Sequence, residues 1–153
     1  MTSTAYLLIC VDGIDAAGKA VSAHGIASGR METMEWPLYK STGFAKTITT
    51  GDSCLIYVGG QRKHSQSFIG FGIVAAVEPA PRRWSEQDSS LVTNPATRLI
   101  KFANVEHWAR PVSIKAHLDD LYFIKNRSRW GLHMMGGVKR IPVEDFELIC
   151  NAA

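Results

Sequence analysis

The chain has 153 residues, is 46% hydrophobic and 20% charged, and carries a formal net charge of +3. That length predicts one domain over residues 1–153, able to bury a core without staples, and the composition excludes a disordered tail or a coiled coil. The mild positive balance excludes a general nucleic-acid coater while permitting an anionic partner.

Tyr6–Val11 is a continuous apolar run, the pattern of a strand buried on both faces, and it stops at the turn signal Asp12-Gly13. Residues 14–35 are rich in Ala, Gly and Ser, with Gly18, Gly25 and Gly29 weakening any long helix, so a short helix and irregular connection are expected. Trp36 follows, in the turn-like Glu35-Trp36-Pro37-Leu38-Tyr39.

Gly51-Asp52 then leads into a strand from Ser53 to Val58. Gly59–Ser67 is too long for a two-residue turn and reads as a functional hairpin loop, and Phe68–Val77 returns as the second strand. The two-residue period puts Ile69, Phe71, Ile73, Ala75 and Val77 on one face, with Gly70, Gly72, Val74 and Ala76 on the other. Small residues on one face allow the coiling that closes a small barrel.

After Pro79 and Pro81 comes a polar stretch containing Trp84, then a strand over 98–106 without clean alternation and a short strand at 111–114. Leu118, Leu121 and Tyr122 predict a helix over 116–124, with Asp119 and Asp120 outward. Pro142 predicts the start of a last helix whose acids, Glu144 and Asp145, sit in its first turn as the helix dipole favours. Short strands with helices kept to the ends read as an α+β domain around a curled sheet.

The three cysteines, Cys10, Cys54 and Cys150, lie far apart in apolar sequence, which predicts buried, reduced thiols. No apolar run reaches the roughly 18 residues of a membrane span, and no basic lead precedes Tyr6. A cytoplasmic protein without a membrane partner is expected. The five histidines, His24, His64, His107, His117 and His133, have no ligand spacing, so no metal is expected. There is no Gly-x-Gly-x-x-Gly, phosphate loop, His-Glu-x-x-His or Cys-x-x-Cys, and Asp119 and Asp120 point apart on a helix. No cofactor and no catalytic residue is expected.

Two tryptophans flanking a hairpin suggest a clamp for a flat ligand. The wider set is Tyr6, Trp36, Gly51-Asp52, Tyr57, Phe68-Ile69-Gly70-Phe71-Gly72, Trp108-Ala109-Arg110-Pro111-Val112, Leu121–Lys125, Trp130-Gly131 and Ile141–Phe146. In that order it resembles the EVE domain of the PUA-like superfamily, related to the YTH readers of methylated adenine. The resemblance implies a PUA-like, strongly bent β-barrel with flanking helices. It also implies a non-catalytic module that captures a modified base, 5-methyl- or 5-hydroxymethylcytosine in DNA, in an aromatic cage. In the relatives a tryptophan precedes a short helical turn before the hairpin and another follows its return strand; Trp36 and Trp84 occupy those places.

By the same resemblance Leu91 or Val92 supplies a third wall, and Asp12 stands where a polar residue meets the base edge. A carboxylate there accepts a hydrogen bond from an exocyclic amine of cytosine or adenine. Tyr57, at a strand end, can lend its hydroxyl to the pocket. Arg62, Lys63, Arg82 and Arg83, on loops beside the tryptophans, are the expected phosphate contacts. The partner is then nucleic acid carrying a modified base, with any cleavage left to a separate nuclease or other effector. The rival readings are an RNA reader of N6-methyladenine, an enzyme acting on a small molecule in the same cavity, and a protein-interaction or oligomerisation module without base binding.

Overall fold

The computed structural model describes residues 4–39, 43, 46–62, 64–81 and 96–153. Strand β1 (Ala5–Cys10) is buried at every position, as its unbroken apolar run requires. It lies between two strands. Strand β5 (Ser53–Val58) runs parallel to it, from Ala5 opposite Ser53 to Cys10 opposite Val58. Strand β8 (Val138–Ile141) runs antiparallel on its other side, with Ala5 opposite Ile141.

The remaining strands and α-helices are a small hairpin of β2 (Gly13–Ile14) and β3 (Ala20–Val21), helix α1 (Ala23–Thr33), β4 (Glu35–Tyr39), β6 (Ser67–Pro79), β7 (Ala96–Ser113) and helix α2 (Val143–Ala152), with 3-10 helices at Ile114–Ala116 and Arg127–Met134. The main sheet has the order β4-β7-β6-β5-β1-β8. Its alternating side chains feed two cores. Tyr6, Leu8, Cys10, Cys54, Ile56 and Val58 pack on the face covered by α1, with Ala27 and Met31. Leu7, Ile9, Leu55 and Tyr57 pack on the other, with Ile114, Phe123 and Ile149 of α2.

The sequence splits β7 into two strands, whereas the protein makes one of 18 residues. Straight, it would span about 60 Å, against a radius of gyration of roughly 15 Å expected for a chain of this length. It must bend. The β6–β7 ladder shifts register between Phe68 and Gly70 and twice more between Ile73 and Ala76. Such bulges bend and twist a sheet. A Cβ on Gly70 would collide with the Glu106 carbonyl and the Met31 methyl, and one on Gly72 would come 2.6 Å from the Phe102 ring. Small residues therefore allow the bend, as expected. The first bulge also breaks the expected two-residue period: Ile69 joins the core under α1, while Phe71 turns to Trp108 and Phe146 on the opposite face.

Two local expectations are corrected. Trp36 is not before a helical turn: it lies in β4, opposite Ile100 of β7. Pro37 is tolerated there because β4 is an edge strand. The helix expected over 116–124 does not form; a 3-10 turn, Ile114–Ala116, ends at its first residue. The amides of Tyr122 and Phe123, which a helix would turn toward its own carbonyls, donate instead to Asp145 Oδ1 and Oδ2 at 2.8 and 2.9 Å. The last helix begins after Pro142 as expected, but Asp145 in its first turn is fully buried, serving as this clamp.

Asp52 does similar work at the start of β1. It is buried, accepts from the Thr4 amide through Oδ1 at 3.1 Å, and from the Thr49 amide through Oδ2 at 2.9 Å. The turn at Gly51, with φ of 90°, is thereby fastened to the start of β1.

Candidate functional site

The sheet delivers Asp12 to a crowded corner. Two residues past β1, its Oδ1 accepts a 2.8 Å hydrogen bond from the amide of Ala23, the first residue of α1. On the other side lies the start of the β5–β6 loop, tied down by Gly59 N–H donating to the Cys10 carbonyl at 2.8 Å. Gly60 has φ of 90°, and a Cβ there would come within 2.5 Å of Asp12 Oδ2. Glycine is needed on both counts. The carboxylate is thus held between a helix N-terminus and a loop backbone. Its Oδ2 accepts no hydrogen bond from any described residue, so it keeps acceptor capacity for a ligand.

The same corner collects histidines from three elements. His24 is the second residue of α1, His64 lies in the β5–β6 loop, and His107 lies in β7. Ring centroids of His24 and His64 are 4.8 Å apart, and those of His24 and His107 are 6.0 Å apart. Burial, and after it the charges of His64 and His107, hold the His24 pKa below its ordinary value. From His107 an open groove of about 610 Å³ runs along α1, lined by Ser28, Met31, Glu32, Met34, Asn104 and Val105. The Ser28 hydroxyl is buried there without a hydrogen-bond partner. No group of three His, Cys, Asp or Glu among the described residues is arranged to hold a metal ion.

The sequence-predicted residues fall into three sets. Asp12 and the loop carrying Arg62 are brought together; Arg62 is exposed, and its carbonyl accepts from Ser65 N–H in the loop's turn. Trp36 and Tyr57 are separated. Each is only 2% exposed, and they belong to the two cores on opposite faces of the sheet, so they do not line one pocket. Arg30 covers the Trp36 ring, its guanidinium carbon 4.7 Å from the ring centroid. Tyr57 packs edge-on against Phe68, and burial pushes its hydroxyl up to about 12, so it stays protonated near neutral pH. Lys63, Arg82, Arg83, Trp84, Leu91 and Val92 lie outside the described residues.

The histidine trio is what the sequence reading missed. Positions 24, 64 and 107 share no period, and only the β5–β6 loop folding back over the start of α1 joins them. Of the three thiols expected to be buried, Cys10 and Cys54 are and Cys150 is half-buried; none of them forms a disulfide. Burial, and then the Asp52 charge, drives the Cys54 pKa far upward; burial, with Glu106 and Glu147, pushes Cys150 up to about 11. Neither Cys54 nor Cys150 is an activated nucleophile near neutrality.

A strongly bent mixed sheet with helices on its flanks is the PUA-like architecture, and solved structures share it across the whole chain. The DUF55 domain of human thymocyte nuclear protein 1 superimposes with a TM-score of 0.62 at 12% identity, covering 97% of this chain and 98% of that one. The human THYN1 protein in complex with 5-methylcytosine-containing DNA gives 0.56 at 14% identity, covering 98% and 97%. The N-terminal domain of Staphylothermus marinus McrB gives 0.53 at 13% identity, covering 100% and 96%. The sequence profile of the EVE domain matches residues 24–152, and the chain belongs to that family. No curated protein sequence matches it.

Proposed function

We propose that this EVE domain is a non-catalytic module that binds nucleic acid carrying a modified base, with 5-methyl- or 5-hydroxymethylcytosine in DNA as the preferred ligand. The observation that carries the reading is Asp12. Its carboxylate is anchored through one oxygen to the N-terminus of α1 and backed by Gly60, with the second oxygen free of any described partner. Such a group accepts from cytosine N4 without needing to move. One of the solved structures with this fold is a complex with 5-methylcytosine-containing DNA.

In this reading Trp84 supplies the stacking ring and Leu91 a further wall, while Arg62, Lys63, Arg82 and Arg83 meet phosphates. Stacking of a base on an aromatic ring is worth about 1–3 kcal/mol, of the order of the few kcal/mol needed to unstack a base from duplex. Trp36 and Tyr57, buried in the two cores, support the scaffold around the site instead of walling it.

The test is fluorescence anisotropy with labelled DNA and RNA oligonucleotides carrying cytosine, 5-methylcytosine, 5-hydroxymethylcytosine, adenine or N6-methyladenine. Selective, saturable binding of a modified cytosine that is lost in Trp84→Ala supports the reading. Because adenine N6 also donates, selection of N6-methyladenine in RNA would transfer the same site to the RNA-reader alternative. Equal or absent binding of all oligonucleotides would overturn it and favour a protein-interaction module.

A further inference from the structure

We propose that His24, His64 and His107 form a proton-dependent site for a phosphate group, taking the backbone phosphate beside the captured base. The inference rests on the nucleic-acid reading for its ligand, though the site itself is argued from geometry. Imidazoles from the β5–β6 loop and β7 flank that of α1, with the His24 ring 4.8 Å from His64 and 6.0 Å from His107. Both ring pairs are tilted, at 40° and 47°, so they gain little by stacking on one another.

The backbone adds a donor. In the first turn of α1 the Ala23 amide is taken by Asp12 and the Gly25 amide by the Ser22 hydroxyl. The intrahelical ladder opens with Ile26 N–H donating to the Ser22 carbonyl. The His24 amide has no partner among the described residues. It belongs to the same residue as the central ring, at the positive end of the helix dipole. One helical turn further on, Ser28 brings an unpartnered buried hydroxyl toward the groove that begins at His107. His64 is held at φ of 63°, a left-handed conformation that histidine visits more readily than most side chains. The loop thus spends backbone strain on presenting this ring.

An anion here draws on the protonated imidazoles and on Arg62, set against the acids nearby. Arg62 stands two residues before His64 on the same loop. Of the acids on the adjoining elements, Asp12 is bonded to the Ala23 amide, Glu32 lines the groove further along α1, and Glu106 on β7 reaches Cys150 by its charge. The electrostatic influences on His24 are the two other histidines, and they resist its protonation. An anion bound among the three rings reverses that repulsion, so binding and proton uptake favour each other. By linkage the affinity then rises about tenfold for each pH unit over which one proton is taken up.

The first arm of the test uses inorganic phosphate and needs no nucleic acid. Histidine ring signals are followed by NMR from pH 8 to pH 5, with and without phosphate at constant ionic strength. Phosphate should raise the titration midpoints of His24, His64 and His107 while leaving His133 in place; unmoved trio midpoints would overturn the site. The second arm measures oligonucleotide affinity at pH 7.5 and 5.5 for the unaltered protein, His64→Gln, His107→Gln and the control His133→Gln. A gain of about tenfold at the lower pH, kept by His133→Gln and flattened by the other two, supports the proposal. Equal slopes in all four proteins would overturn its extension to the nucleic-acid backbone. A phosphate response without oligonucleotide binding would retain the anion site and remove the nucleic-acid reading.

Discussion

Asp12 and Asp145 are two carboxylates at the N-terminal turns of two helices, and the protein uses them in opposite ways. Asp145 is fully buried, with its oxygens occupied by the amides of Tyr122 and Phe123. Asp12 is half-buried and gives one oxygen to Ala23, while the other bonds to no described residue. A carboxylate with both oxygens engaged fixes the chain; one held by half keeps its orientation and remains able to accept. The same residue type is thus structural under α2 and available at the end of β1.

The comparison is tested most severely at Asp145. Asp145→Ala strands two amides, one of them in a fully buried bond, and should cost about 2–4 kcal/mol, read as a lower urea midpoint. A loss below about 1 kcal/mol would show that the amides find other acceptors and that the clamp is dispensable. Gly60→Ala comes next. Its Cβ would lie 2.5 Å from Asp12 Oδ2 at a backbone φ of 90°, and a non-glycine residue held there costs about 1–3 kcal/mol. Oligonucleotide affinity should fall with it, because the carboxylate is displaced; unchanged affinity in the folded variant would detach Asp12 from the site.

Asp12→Ala sharpens the contrast. Its stability should fall by only about 1 kcal/mol, the usual cost of losing a helix-cap bond. Binding of a modified-cytosine oligonucleotide should weaken roughly ten- to a hundredfold, as expected for one hydrogen bond to a charged group. A variant with large loss of stability and intact binding would make Asp12 the structural residue of the pair. The smallest effect is on pH dependence. Burial raises the Asp145 pKa, outweighing the two backbone hydrogen bonds that lower it. The folded chain therefore holds this proton at a pH where the unfolded chain has released it. The contribution favours the fold at acid pH and is lost as pH rises from the ordinary carboxylate range through the raised value. Urea unfolding between pH 4 and pH 7 should show that slope, and Asp145→Asn should remove it.

Much of the scaffold was legible because single strands and caps are local. The unbroken apolar run of β1, the β5–β6 hairpin and the proline-led α2 all follow from patterns a few residues long. Strand β8 escaped notice: only Val138 and Ile141 are apolar, and Lys139 and Arg140 between them hide the pattern. The bulges in β6 and β7 erased alternation just where the sheet bends. At the site, Asp12 was marked by the family resemblance, and the structure sets it against the start of α1 and the β5–β6 loop. Trp36 misled because Glu35 and Pro37 suggest a turn, whereas an edge strand accepts both. The histidine trio had no linear signature, since its distances are set by tertiary folding alone.

The position of β1 also governs when the molecule can assemble. Among the described residues β1 finds its neighbours only at β5, which supplies the partner of Ala5 at Ser53, and at β8, which supplies another at Ile141. A nascent chain must therefore carry an apolar β1 unpaired until the hairpin has been made, and with one edge open until β8 has been made. Pairings so distant in sequence make folding slow and leave an adhesive edge exposed in the meantime. During synthesis the chain depends on protection of β1, and truncation before residue 138 should yield aggregates in place of a smaller stable fold.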